Sequence, residues 1–325
     1  MSDSLAARYR RFAAVEAHGR SPLYETICVA AAGDRSVLAF LETLPPSRQQ
    51  PNLLLAAVRH VAGTPAGWPD FRRGLLNNIE TVRSVMLTRS TQTNEPARCA
   101  VLLPILARLP QPLALIEVGA SAGLCLLPDR YGYDYAGRIV PPPDAEAPVF
   151  RCDADAATPG VSAMPRIIWR AGLDLSPLSV KDPDQALWLR TLVWPEQTER
   201  MARLRAALRI AAKAPPYIRA GDLLTDDLDR LCAEAPPDAT LVIFHTAVLA
   251  YVTDGTARNA FADRARRLCR YWISNEAPSV FPTIAAQAGC APPSSGSFLL
   301  SVNRIPTAWT DPHGASMRWI GDGAL

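Results

Sequence analysis

The chain has 325 residues, 49% hydrophobic and 20% charged, a soluble-globular balance long enough for one large domain or two modest ones. Its net charge of +3, from 34 basic against 31 acidic residues, argues against an electrostatic nucleic-acid partner. No apolar run is long enough to span a bilayer, no leader pattern opens the sequence, and the cysteines at 28, 99, 125, 152, 232, 269 and 290 form no C-x-x-C pair, so the expectation is a cytoplasmic protein without a membrane segment or metal centre.

Residues 4 to about 110 read as helices. Leu5, Tyr9 and Phe12 recur near helical spacing, as do Val37, Leu38 and Leu41, and then Leu53, Leu54, Ala57, Val58 and Val61. Gly33-Asp34, Pro45-Pro46 and the stretch from Gly63 to Pro69 punctuate them. A helical N-terminal cap domain over 1–110 is therefore predicted. From Leu113 the pattern changes to short apolar runs separated by helical segments, which predicts an α/β sheet domain over 111–325. Its strands are expected at 113–118, 166–173, 217–220, 239–245 and 270–276, with 297–303 and 316–320 closing the sheet as a hairpin. An amphipathic helix is expected from Asp184 to Ala212, interrupted near Pro195, and another over 256–268. About fifty residues separate Gly123 from Asp174, where a simple βαβ unit places its acid about twenty residues on. Pro141-Pro142-Pro143 and the extended segment after Ala147 place an inserted hairpin or loop near 135–165.

The stretch PLALIEVGASAGLCLL carries the chemistry. Leu113, Leu115, Ile116 and Val118 supply a buried strand, and Gly119 and Gly123 allow a tight turn and close approach to a ligand. A helix starting near Ser121 is expected to aim its free N–H groups at that ligand. The order Glu117-x-Gly119-x-x-x-Gly123 resembles the turn with which S-adenosylmethionine-dependent methyltransferases hold the methionine end of their cofactor. In that reading Glu117, Gly119, Ser121 and Gly123 bind the methionine end, Asp174 accepts from the ribose hydroxyls, and Asp222 takes the adenine amino group. His245 ends the most apolar strand, LVIFH, and is the candidate general base for in-line methyl transfer, with Tyr251 beside it in the cleft. Asn94, Glu95 and Arg98 in TQTNEPARC, together with Glu276, are the candidate contacts to a small-molecule substrate. Oligomeric state is not readable from the residues.

Each acid also has a plainer role, since an Asp at a strand end is often only a helix cap. Gly119-Ala-Ser121-Ala-Gly123 equally satisfies G-x-S-x-G, and a serine hydrolase would run Ser121, then Asp222 or Asp254, then His313. The helical upstream region and the lack of a glycine-rich oxyanion segment argue against it. The G-x-G-x-x-G spacing of nicotinamide and flavin enzymes is absent. A non-catalytic protein that keeps the fold without the cofactor is the main alternative.

TQTNEPARCAVLLP, LIEVGASAGLCLLPDRY, LRTLVWPEQTERMARLRAAL and VIFHTAVLAYV resemble the DUF2332 family of bacterial proteins over nearly the whole chain. The resemblance implies a Rossmann-like, seven-stranded methyltransferase-type sheet with a helical N-terminal region, and it brings no established reaction.

Overall fold

In the computed structural model, which describes residues 2–321, the chain forms two compact units, one of Met1–Thr93 with Asp182–Ala202 and the other of Asn94–Lys181 with Arg203–Leu325. The first unit is helical: α1 (Ser2–Arg11), α2 (Pro22–Ala31), α3 (Arg35–Glu42), α4 (Pro51–Ala62), α5 (Trp68–Asn77) and α6 (Ile79–Thr88). Local chemistry starts them. Ser21 accepts the Tyr24 N–H, Asp34 accepts the Ser36 and Val37 N–H groups, and prolines open α2 and α4. The helix Pro183–Thr191 belongs here because Trp188 donates its indole N–H to the Ser90 carbonyl at 3.1 Å. Trp194, just beyond it, packs on Phe12 and Tyr24.

The second unit opens with α7 (Cys99–Leu106), buried on every side. Pro104 lacks the N–H that would reach the Ala100 carbonyl, and the Tyr135 hydroxyl donates to that carbonyl instead, at 2.7 Å. The strands follow: β1 (Leu113–Val118), β2 (Gly132–Tyr135), β3 (Arg138–Val140), β4 (Val149–Ala154), β5 (Ile167–Asp174), β6 (Tyr217–Ala220), β7 (Thr240–Thr246), β8 (Tyr271–Glu276), β9 (Phe298–Val302), β10 (Ile305–Thr310) and β11 (Ser316–Trp319). Between them run α8 (Pro183–Thr191), α9 (Thr198–Lys213), α10 (Asp227–Cys232), α11 (Gly255–Leu268) and α12 (Pro282–Ala285).

Among the described residues eleven strands join one mixed, mostly parallel sheet in the order β3-β2-β4-β11-β10-β9-β8-β7-β1-β5-β6. Seven strands were expected. The additional ones are β2, β3 and β4, from the segment 132–154, and β10. The terminal hairpin is β9 with β10, turned at Asn303 and Arg304 with φ of 50° and 72°. Residues 316–319 form the next strand, β11, which pairs with both β10 and β4.

A second correction concerns the turn after β1, where a helix was expected near Ser121. The chain makes only two 3₁₀ turns, Leu124–Leu126 and Pro128–Arg130. Ser121 and Gly123 are left-handed, at φ of 51° and 69°, and Pro128 follows; these interrupt an α-helix before it can propagate. Leu124 to Leu127 are buried on all sides.

Strand alternation sorts the core. Ile116, Val118, Ile243, Trp272, Leu299 and Trp309 cluster with Leu228, Phe261 and Ile284 from α10, α11 and α12 on one face. Glu117, Phe244, Thr246 and Asn275 point to the other. Chain order places β5 on one side of β1 and β7 on the other, so a topological switch point lies at the carboxyl ends of β1 and β7. Among the described residues no helix is long and apolar enough to cross a membrane.

Candidate functional site

The turn from Gly119 to Gly123 is built by close approach. A Cβ on Gly119, at φ +74°, would lie 2.4 Å from the Val248 side chain, and one on Gly123, at φ +69°, would lie 3.0 Å from Ile218 and 3.1 Å from Pro216. Both positions therefore require glycine for backbone and for space. The Gly119 and Ala120 N–H groups donate to the Leu173 carbonyl at 2.8 and 3.3 Å, and Gly123 donates to Ala120 at 2.7 Å. Ser121 donates its N–H to Asp174 Oδ2 at 2.7 Å, and Ala122 donates to Asn94 Oδ1 at 3.1 Å. Asn94 Nδ2 in turn donates to Ser121 Oγ at 2.7 Å. Every backbone donor of this turn is thus directed into the protein. Asp174 also accepts the Ser176 N–H on Oδ1 at 2.7 Å. A carboxylate offers four acceptor positions, so two remain.

Glu117 lies just before the turn and is 4% exposed. Its Oε2 has no hydrogen-bond partner. Burial raises its carboxyl well above the usual range, with Cys125 and Asp174 adding to the rise and Arg98 opposing it. Arg98 is itself buried and joins three segments: Nε donates to the Pro312 carbonyl at 2.8 Å and Nη1 to the Thr246 carbonyl at 3.0 Å. Glu95, equally buried, caps the 3₁₀ turn Pro96–Arg98 through the Ala97 N–H at 3.2 Å. The proposed substrate contacts Asn94, Glu95 and Arg98 all belong to the sheet unit, where they brace the carboxyl edge.

On the opposite face His245 is fully enclosed, its ring edge-on to Phe261 at 5.6 Å and tilted to Trp272 at 5.7 Å. Its Nδ1 lies 2.8 Å from Glu276 Oε1, which also accepts the Val248 and Leu249 N–H groups at 2.9 and 3.1 Å. An oxygen already accepting two backbone donors is an acceptor toward the ring as well, which assigns a proton to Nδ1. Neither His245 Nε2 nor Glu276 Oε2 has a partner. Glu276 was expected to touch substrate; here it orients His245 and holds the loop that carries Ala247, at φ 58°, and Val248.

Tyr251 stands 74% exposed on the surface, apart from the enclosed imidazole. Asp222 is engaged in its own turn, accepting the Leu224 N–H at 2.9 Å and donating its N–H to Asp227 at 3.0 Å. Sequence reasoning missed Thr246, Asn275 and Thr310. Asn275 accepts the Thr310 hydroxyl at 2.8 Å, and its Nδ2 has no partner. The available signal was a polar residue at the end of each apolar run, in VIFHT, WISNE and AWT.

The family model described as an uncharacterized protein conserved in bacteria, DUF2332, matches residues 6–319, and the chain belongs to that family. No curated protein and no solved structure matches it.

Proposed function

We propose that this member of the DUF2332 family binds S-adenosylmethionine at the carboxyl edge of β1, β5 and β7 and transfers its methyl group to a small molecule. The observation that carries the reading is the strand order β6-β5-β1-β7-β8, all parallel, with Glu117 next to the switch point and Asp174 at the carboxyl end of the adjoining β5, the edge where open α/β sheets bind ligands. Asp174 keeps two acceptor positions for a ribose diol, and the unpartnered oxygen of Glu117 suits the ammonium of the methionine end. The cofactor, when bound, supplies an electrophilic methyl group on sulfur.

The role the geometry favours for His245 is positioning. Through Glu276 it supports the loop that seats Val248 against Gly119. General-base catalysis by Nε2 would require the ring to be reached by substrate. Ser121 shares the positive φ of a nucleophile elbow, but a 3₁₀ turn follows it in place of a helix, and its hydroxyl accepts from Asn94. One observation favours a second reading, a non-catalytic binding protein: the N–H groups from Gly119 to Gly123 are already bonded within the chain.

Isothermal titration with S-adenosylmethionine and S-adenosylhomocysteine, with NAD and adenosine as controls, tests the proposal. Micromolar binding of the first two, lost in a folded Asp174→Ala variant, is the expected result. Absence of binding to the wild-type protein overturns the cofactor and leaves the non-catalytic reading.

A further inference from the structure

An ionisable group with an empty hydrogen-bonding position in a protein interior is stable only in its neutral form, unless something charged arrives to pair with it. Glu117 meets that description at the switch point. Its side chain is nearly enclosed and its Oε2 accepts and donates nothing. The groups that face it come from every neighbouring element. Asp174 lies at the end of β5, Cys125 in the 3₁₀ turn Leu124–Leu126, Tyr131 just before β2, and Arg98 at the entrance to α7. Of these only Arg98 is cationic, and its Nε and Nη1 are directed at the Pro312 and Thr246 carbonyls. Asp174 disfavours a negative charge on Glu117. Burial and these neighbours together favour the protonated carboxyl, with Arg98 opposing them.

We propose that Glu117 is a cation-responsive acid, which keeps its proton in the ligand-free protein and releases it to solvent when an ammonium or sulfonium group of a ligand seats against Oε2. The inference rests on the switch point being the ligand site, and extends beyond the identity of the cofactor. The step is balanced: a neutral carboxyl and a ligand cation become a carboxylate–cation pair, and one proton leaves for the buffer. Affinity for such a ligand then rises with pH, about tenfold per unit, for as long as the free carboxyl still holds its proton.

The test is calorimetric titration of S-adenosylmethionine and S-adenosylhomocysteine at pH 7 in two buffers of different ionisation enthalpy. Release of about one proton per site is expected for the wild type and none for Glu117→Gln, which keeps the shape but has no proton to lose. Release with both compounds assigns the ammonium as trigger, and release with the first alone assigns the sulfonium. Binding without proton release overturns the proposal. If neither compound binds, the cofactor reading fails by itself, and carboxyl carbon NMR of glutamate-labelled protein, assigned by Glu117→Gln, decides the remainder. A Glu117 resonance already ionised at pH 7 overturns the proposal. A neutral resonance is then titrated with tetramethylammonium and trimethylsulfonium: conversion to the ionised position upholds it, and an unmoved resonance refutes it.

Discussion

The two flanks of the sheet treat buried polar groups in opposite ways. Before and within β2, Tyr131, Tyr133 and Tyr135 are buried, and each hydroxyl donates to a main-chain carbonyl, at Leu124, Pro128 and Ala100, over 3.0, 2.6 and 2.7 Å. Burial raises all three phenols well above their ordinary value, so they remain donors throughout the working pH range. Across β1, β7 and β8, by contrast, Glu117 Oε2, His245 Nε2, Asn275 Nδ2 and Glu276 Oε2 are all buried without a partner. Buried polar atoms are ordinarily satisfied inside the chain, and the Tyr9 and Tyr24 hydroxyls and the Trp272 and Trp309 indole N–H groups are further exceptions in this one. Four such atoms at the carboxyl ends of three adjacent parallel strands make this the flank to test for a ligand.

The sharpest way to break this comparison is at Gly119. Alanine there combines a positive φ, worth about 1–2 kcal/mol, with an overlap against Val248 worth about 1–3 kcal/mol. Chemical denaturation should show Gly119→Ala losing about 2–5 kcal/mol, with Val248→Ala in the same chain recovering only the share due to the Val248 methyl groups, since its Cβ stays 2.7 Å from the new methyl. An unimpaired Gly119→Ala would mean that the turn is not packed against Val248. On the satisfied flank, Tyr135→Phe should cost about 1–3 kcal/mol by stranding the Ala100 carbonyl. Pro104→Ala restores the helical N–H, so a double-mutant cycle should return a favourable coupling between the two positions, and strict additivity would refute the substitution of one donor for the other.

The effect that accumulates gradually concerns Glu117 and pH. Its carboxyl is raised in the folded state above the unfolded value of about 4.3, so above that pH the folded protein retains a proton that the unfolded chain has lost. Stability contributed by this group therefore falls as pH rises, by about 1.4 kcal/mol per unit, until the folded carboxyl ionises. Glu117→Gln removes that slope. Urea unfolding of both proteins from pH 5 upward measures it, and parallel curves would show that the buried carboxyl is already charged.

What could be read from the residues was whatever depended on neighbours in sequence. The apolar runs at 113–118, 217–220 and 239–245 announce β1, β6 and β7 within a residue. Strand β10 was hidden because Pro306 breaks its pattern; the structure absorbs it through a register shift between Pro306 and Ala308. GYDY and RIV are too short and too polar to declare themselves as β2 and β3. In the site, Glu117 and Asp174 were visible as acids at strand ends. That Glu276 serves His245, and that Arg98 crosses 148 residues to reach Thr246, are consequences of strand order alone. The absent helix after Gly123 was the reverse case, a local motif overruled by the left-handed Ser121 and Gly123 and by the proline that follows.

The placement of β11 has a consequence for how the protein is made. It lies between β10 and β4, paired in parallel through Ser316 with Asp153 and Met317 with Ala154, and Arg318 reaches Asp153 at 2.8 Å across 165 residues. A ribosome needs on the order of ten seconds to synthesise the chain separating those strands. Throughout that interval β4 has β2 on one side and an open row of amides on the other, an edge competent to pair with another nascent chain. Only the arrival of residues 316–319 closes it, which makes those four residues the latch against misassembly during translation.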